Sequence, residues 1–137
     1  MNKKFFKPRR HSLALQRKKI KQDWPDGKFK SFSYKKFTWI VKIKPTSISR
    51  NYDIRLECEV SKPPRVYLYG ENLRNLEDRD FPHIYRRDIN KHEVQLCLAL
   101  PKEFNYSMFV ADTIIPWTVE WLFYYEIWLY SGIWYGG

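Results

Sequence analysis

Tyr52-Asp53-Ile54-Arg55-Leu56-Glu57-Cys58-Glu59-Val60 is the run that decides the fold. Tyr52, Ile54, Leu56, Cys58 and Val60 alternate with Asp53, Arg55, Glu57 and Glu59, a period of two that predicts a strand with one face in the core and one in water. Toward the N-terminus, Phe37, Trp39, Val41 and Ile43 alternate with Lys36, Thr38, Ile40, Lys42 and Lys44, a second strand that stops at Pro45, with Ser47 to Asn51 as the turn. Toward the C-terminus, Pro63-Pro64 interrupts the ladder, and Val66-Tyr67-Leu68-Tyr69 gives a third short strand up to Gly70. Three sequential strands joined by short turns favour an antiparallel meander.

The flanks read differently. Ser12 is placed to cap a helix through about Asp23, with Leu13, Ile20 and Trp24 near one face, and Trp24-Pro25-Asp26-Gly27 stops it. Glu71 to Pro82 is polar and irregular, Val94-Gln95-Leu96-Cys97-Leu98 is a last extended piece, and a loop follows from Pro101 to about Thr113. Pro116 and Gly132 bracket a helix over Trp117–Ser131. Trp121, Leu122, Tyr125, Trp128 and Leu129 recur at helical spacing and form its core face, while Phe123, Ile127 and Tyr130 lie on other sides. A helix apolar nearly all round requires a second contact, from the C-terminal residues, a dimer mate or another protein.

Composition bounds the function. The 137 residues are one domain's worth, and 44% hydrophobic against 29% charged is too apolar for a disordered chain. The apolar stretch Phe109–Trp134 is broken by Asp112, Glu120 and Glu126, so no membrane-spanning helix is expected. The N-terminus is basic but lacks the apolar core of a secretion signal, which favours the cytoplasm. Residues 1–10 read as a flexible basic leader and 11–137 as a single domain. Of the net charge of +10, residues 1–50 contribute +14 and residues 51–137 contribute −4. Trp24, Phe29, Phe32, Tyr34, Phe37 and Trp39 are interleaved with these lysines, as a nucleic-acid stacking groove requires. The same pattern also fits solvated basic faces with inward aromatics, or a basic surface for an acidic protein.

Two cysteines and the scattered His11, His83 and His92 lack the spacing of a disulfide scaffold or a zinc site, so neither metal nor cofactor is expected. Gly-rich phosphate loops, GxSxG elbows and HExxH are absent from the sequence. Alternation assigns Cys58 to the buried face. Cys97 shares the more polar face with Glu93 and Gln95, at a strand end that precedes a loop, where a thiol nucleophile is accessible.

This order of elements resembles the ubiquitin-conjugating enzymes, over about residues 11–134: an α+β fold with an N-terminal helix, a four-stranded antiparallel meander and a C-terminal helix, here aromatic. Pro63-Pro64-Arg65-Val66 is similar to the family's proline turn, His83-Ile84-Tyr85 to its His-Pro-Asn segment, Leu96-Cys97-Leu98 to its cysteine motif, and Tyr106-Ser107 to its Trp-Ser pair. Pro116, Glu120-Trp121-Leu122, Tyr125-Glu126, Trp128-Leu129 and Gly132-Ile133-Trp134-Tyr135-Gly136-Gly137 resemble the bacterial ubiquitin-conjugating-like proteins of anti-phage cyclic-oligonucleotide (CBASS) operons, in the short form without an activating-enzyme domain.

The resemblance implies that Cys97 forms a thioester with the C-terminus of a cGAS-like nucleotidyltransferase and passes it to a lysine. It implies that His83 supports the local fold. Tyr85 stands where the family has the Asn that stabilises the oxyanion, leaving a backbone N–H or the Tyr85 hydroxyl for that task, and His92 is the nearest candidate base in sequence. The alternatives are an inactive fold relative that serves as a binding module, a basic nucleic-acid-binding domain, and a ubiquitin-like modifier ending in Gly136-Gly137. The bulky Ile133-Trp134-Tyr135 speaks against the last.

Overall fold

A computed structural model describes residues 9–98 and 103–137. The basic leader expected over 1–10 falls outside the described residues except for Arg9 and Arg10, as does the start of the loop expected from Pro101.

Helix α1 (Leu13–Asp23) starts where the Ser12 hydroxyl accepts the Leu15 N–H at 3.1 Å, the capping bond that its sequence promises. Leu13 and Ile20 are buried as expected, and so is Gln16. Trp24 is the C-cap and only partly buried. Gln16 is tolerated in the core because both ends of its amide are used: Nε2 donates to the Met108 carbonyl and Oε1 accepts from the Val110 N–H, each at 2.8 Å. One polar side chain thus ties α1 to the segment that follows the cysteine.

The sheet has six antiparallel strands: β1 (Lys28–Phe32), β2 (Lys36–Ile43), β3 (Tyr52–Glu59), β4 (Lys62–Tyr69), β5 (Ile84–Asp88) and β6 (Glu93–Leu96). Their order is β1-β2-β3-β4-β6-β5, so the first four form a four-stranded antiparallel meander; β6 falls on the extended piece expected at Val94–Leu98, whereas β1 and β5 have no counterpart in the strands read from the sequence. The chain leaves β4, crosses to the far edge as β5 and returns as β6 beside β4. β1 carries a register shift between Phe29 and Ser31, and β5 lies at an edge with a charged sequence, none of it fully buried. β4 also runs through Pro63 and Pro64, with the ladder irregular between Glu57 and Glu59 of β3. The prolines disturb the pairing there without ending the strand, as they can near a strand's start.

The core follows the alternation. Phe37, Trp39, Val41 and Ile43, then Tyr52, Ile54, Leu56 and Cys58, then Val66, Leu68, Val94 and Leu96 are buried on one face. Val60 departs from this expectation: it lies beyond the end of β3, in the turn, and is half exposed. Helix α2 (Ile114–Ser131) closes the core with Ile114, Ile115, Trp121, Leu122, Tyr125 and Trp128. It begins earlier than its sequence suggests, so Pro116 falls third in the first turn, where an amide N–H has no intrahelical partner to lose. Glu126 bonds α2 to the sheet end, accepting from the Ser49 hydroxyl at 2.6 Å and the Tyr52 hydroxyl at 2.9 Å. Leu129 is only partly buried, and Phe123 and Tyr130 are exposed. No helix among the described residues is long and apolar enough to cross a membrane.

Candidate active site

The β4–β5 connection builds the site. Leu73, Leu76 and Phe81 bury their side chains and anchor an otherwise polar segment. Tyr125 of α2 clamps its middle, the hydroxyl accepting from the Arg74 N–H at 2.8 Å and donating to the Arg74 carbonyl at 2.6 Å. Arg87 donates to the carbonyls of Leu76 and Asp78. The segment is thereby rigid where it delivers His83 to the start of β5.

His83 has φ 47, a left-handed conformation that a non-glycine residue adopts at a cost of about 1–2 kcal/mol. The strain has a visible return. In that conformation the His83 carbonyl accepts both the Cys97 backbone N–H and the Trp121 indole N–H, each at 3.0 Å. It therefore fixes the backbone of Cys97, just past the end of β6, to α2. The His83 ring stacks on Trp134, with centroids 5.0 Å apart and planes at 20°.

Tyr85 reaches the cysteine through a bulge. Ile84 pairs with Leu96 and Arg86 with Gln95, so Tyr85 is the extra residue between them, and bulges re-aim side chains in this way. Its hydroxyl is hydrogen-bonded to the Cys97 side chain, which, ahead of partial burial, holds the phenol above its ordinary pKa. Cys97 is free and half-buried. Cys58 is free and sealed, and burial pushes its thiol well up, although a hydrogen bond from Tyr106 acts the other way.

Cys97 opens on a cleft of about 520 Å³ whose walls include His83, Trp121 and Trp134, with Glu103 and Glu120 contributing carboxylates. Leu98 is shared with a second, apolar pocket of about 390 Å³ between Pro63, Pro64, Phe104 and Tyr85. His92 stands at the opposite end of β6 from Cys97, its Nε2 on the Leu73 carbonyl at 2.9 Å, so the structure does not bring it to the thiol. No cluster of potential metal ligands occurs among the described residues.

Cys97, His83 and Tyr85 are thus neighbours. Sequence reasoning missed Glu103, Glu120, Trp121 and Trp134 as walls of the same cleft. Glu120, Trp121 and Trp134 carried a signal as parts of the C-terminal pattern that the resemblance rests on, whereas Glu103 carried none. The arrangement offers a thiol with a phenol beside it, while the His83 ring is engaged with an indole. That equipment suits exchange of an acyl group that is already activated, which needs a nucleophile and an oxyanion donor more than a strong base.

A family model described as Type II CBASS E2 protein matches residues 16–137. No curated protein matches the chain.

Proposed function

This chain belongs to the Type II CBASS E2 proteins, and from that premise we propose that it is a cytoplasmic conjugating-type acyltransferase with Cys97 as its nucleophile. The Cys97 sulfur attacks the activated C-terminal carbonyl of a cGAS-like nucleotidyltransferase, the leaving group departs with its electron pair and takes up the proton that the thiol gives up, and a thioester forms. A lysine amine then attacks that thioester, gives up a proton, and releases the Cys97 thiol with an amide in its place. The Tyr85 hydroxyl takes the position of the missing Asn and donates to the oxyanion of each step. Residues 11–137 act as one unit in this.

The observation that carries the reading is the setting of Cys97. It is half-buried at the mouth of a cleft, its backbone is bolted by the His83 carbonyl, and a hydroxyl sits at its side chain. Co-expression with a nucleotidyltransferase partner tests it: a non-reducing gel should show an adduct of the summed mass that a thiol reductant removes. A gel with no such band would remove the reading.

The basic N-terminal face is the remaining feature, and we assign it to a protein partner. Phe37 and Trp39 are buried, and Phe29 and Phe32 lie under Arg17, whose guanidinium is 5.4 Å and 4.7 Å from their ring centres. Aromatics so engaged are not available to stack on bases, which leaves the 77% exposed Tyr34 and the partly buried Trp24, too few for a stacking groove. Random single-stranded RNA should therefore bind weakly at physiological salt and without sequence preference, whereas nanomolar, sequence-selective binding would make this a nucleic-acid-binding face.

A further inference from the structure

The segment Ile133–Gly137 has no role in the account above, yet it is built onto the site. Gly132, at φ 76, ends α2 by donating its N–H to the Trp128 carbonyl at 2.8 Å, and the chain folds back from there. Trp134 then inserts its indole between His83, Trp121 and Tyr124, with ring centres at 5.0, 5.6 and 5.8 Å. Its neighbours Ile133 and Tyr135 remain 50% and 61% exposed, so one ring anchors the segment. Gly136 and Gly137 go on to line the cleft of Cys97.

Two details show how that seat is held. Gly136 lies so close to the indole that a Cβ would be 2.7 Å from Trp134 Cζ2 and 3.0 Å from Nε1, an approach that only glycine permits. The Trp134 Nε1–H is buried with no hydrogen-bond partner among the described residues. A covered donor without an acceptor is unusual and destabilises the seated state, so the segment rests on ring contacts while its indole N–H goes unused.

We propose that Tyr135–Gly137, hinged at the seated Trp134, is a displaceable strap over the Cys97 cleft, and that the incoming acyl-donor chain replaces it and takes the Trp134 indole N–H with a main-chain carbonyl. The strap stands on geometry alone, whereas the identity of its displacer rests on the reading of Cys97 as the acyl acceptor.

Both parts are tested on the full chain. Gly136→Val places side-chain atoms where the indole already is and lifts the strap, and Trp134→Phe keeps a ring in the seat but removes the N–H. The first readout is the rate of alkylation of Cys97 by iodoacetamide, followed by mass, with Cys58 as the sealed internal control. Gly136→Val should raise that rate several-fold and Trp134→Phe should leave it close to the parent. The second readout is acylation of Cys97 by a peptide mercaptoethanesulfonate thioester, in which the thiolate displaces the sulfonate thiol. Trp134→Phe should raise the peptide concentration for half-maximal rate about five-fold, the equivalent of one neutral hydrogen bond, and Gly136→Val should lower it. Unchanged or slower alkylation in Gly136→Val overturns the strap, and an unchanged half-maximal concentration in Trp134→Phe overturns the role of the indole. If Gly136→Val accelerates alkylation while the unmodified chain accepts no acyl group, the strap stands and the acyltransferase reading fails.

Discussion

The ends of β3 and β6 carry the same pair of groups, a cysteine with a tyrosine hydroxyl at its sulfur, and differ in almost everything else. Cys58 has Tyr106 and Cys97 has Tyr85. Cys58 is fully buried on the core face of the sheet, Tyr106 is 7% exposed, and burial drives both the thiol and the phenol far up in pKa. Cys97 is half-buried at a cleft, and Tyr85 is 55% exposed. The sealed pair is a packing unit, its phenol O–H donating to the Glu59 carbonyl at 3.3 Å, and desolvation there disfavours a thiolate more than a neighbouring phenol can compensate. The open pair can meet a substrate. Access and local dielectric, more than the identity of the neighbouring group, set the two thiols apart.

The largest effect expected in the sealed region belongs to Trp128, which is 6% exposed and packs on Phe81 and Tyr125 with ring centres at 5.2 and 6.1 Å. Trp128→Ala should cost about 3–5 kcal/mol in urea or thermal unfolding, enough to unfold a marginally stable domain. A variant that keeps the parental stability yet loses acyl transfer would move α2 from the sealed region into the chemistry.

The comparison of the two tyrosines sharpens next. Tyr85→Phe should lower the rate of thioester formation by about 10²–10³ with little change in stability, as loss of one oxyanion donor does. Tyr106→Phe should do the reverse, costing about 1 kcal/mol of stability through its lost bond and leaving the rate unchanged. Equal rates in Tyr85→Phe and the parent would return the oxyanion to a backbone N–H.

The remaining test is the response to alkali. Cys58, Tyr52, Tyr106 and Tyr125 all have raised folded-state pKa values caused first by burial, Tyr125 to about 12. The folded protein therefore keeps protons that the unfolded chain has released. The associated stability is complete below the ordinary values of 9.0 for the thiol and 10.0 for the phenols, and is lost as pH rises above them. For Tyr125 the window runs from 10.0 to about 12, at a slope of about 1.4 kcal/mol per pH unit. Urea midpoints from pH 8 to 11 should fall accordingly, and a flat profile would mean that the β3 end is wetter than described.

Much of this contrast is legible in the sequence, because a strand with one buried face writes its register into alternate residues. That period alone separates Cys58 from Cys97. It fails at Val60, where β3 has ended and the period no longer governs direction. It is silent on β5, whose Arg86, Arg87 and Asp88 suit an edge and show no apolar alternation, although β5 is the strand that brings Tyr85 to the thiol. Gln16 is invisible for a related reason: a buried polar side chain is justified only by partners 92 and 94 residues away. The cleft itself depends on Trp134 reaching His83, a contact between distant parts of the chain that no local pattern encodes.

The central claim is that the open cysteine, and not the sealed one, carries the acyl group. It is tested most directly by intact-mass analysis of the adduct formed with a nucleotidyltransferase partner in three variants. Cys58→Ala should retain a thioester that hydroxylamine and thiols cleave, Cys97→Ala should form none, and Cys97→Ser should form either none or an oxyester that thiols do not cleave. An adduct of undiminished yield and unchanged thiol sensitivity in Cys97→Ala would contradict the account.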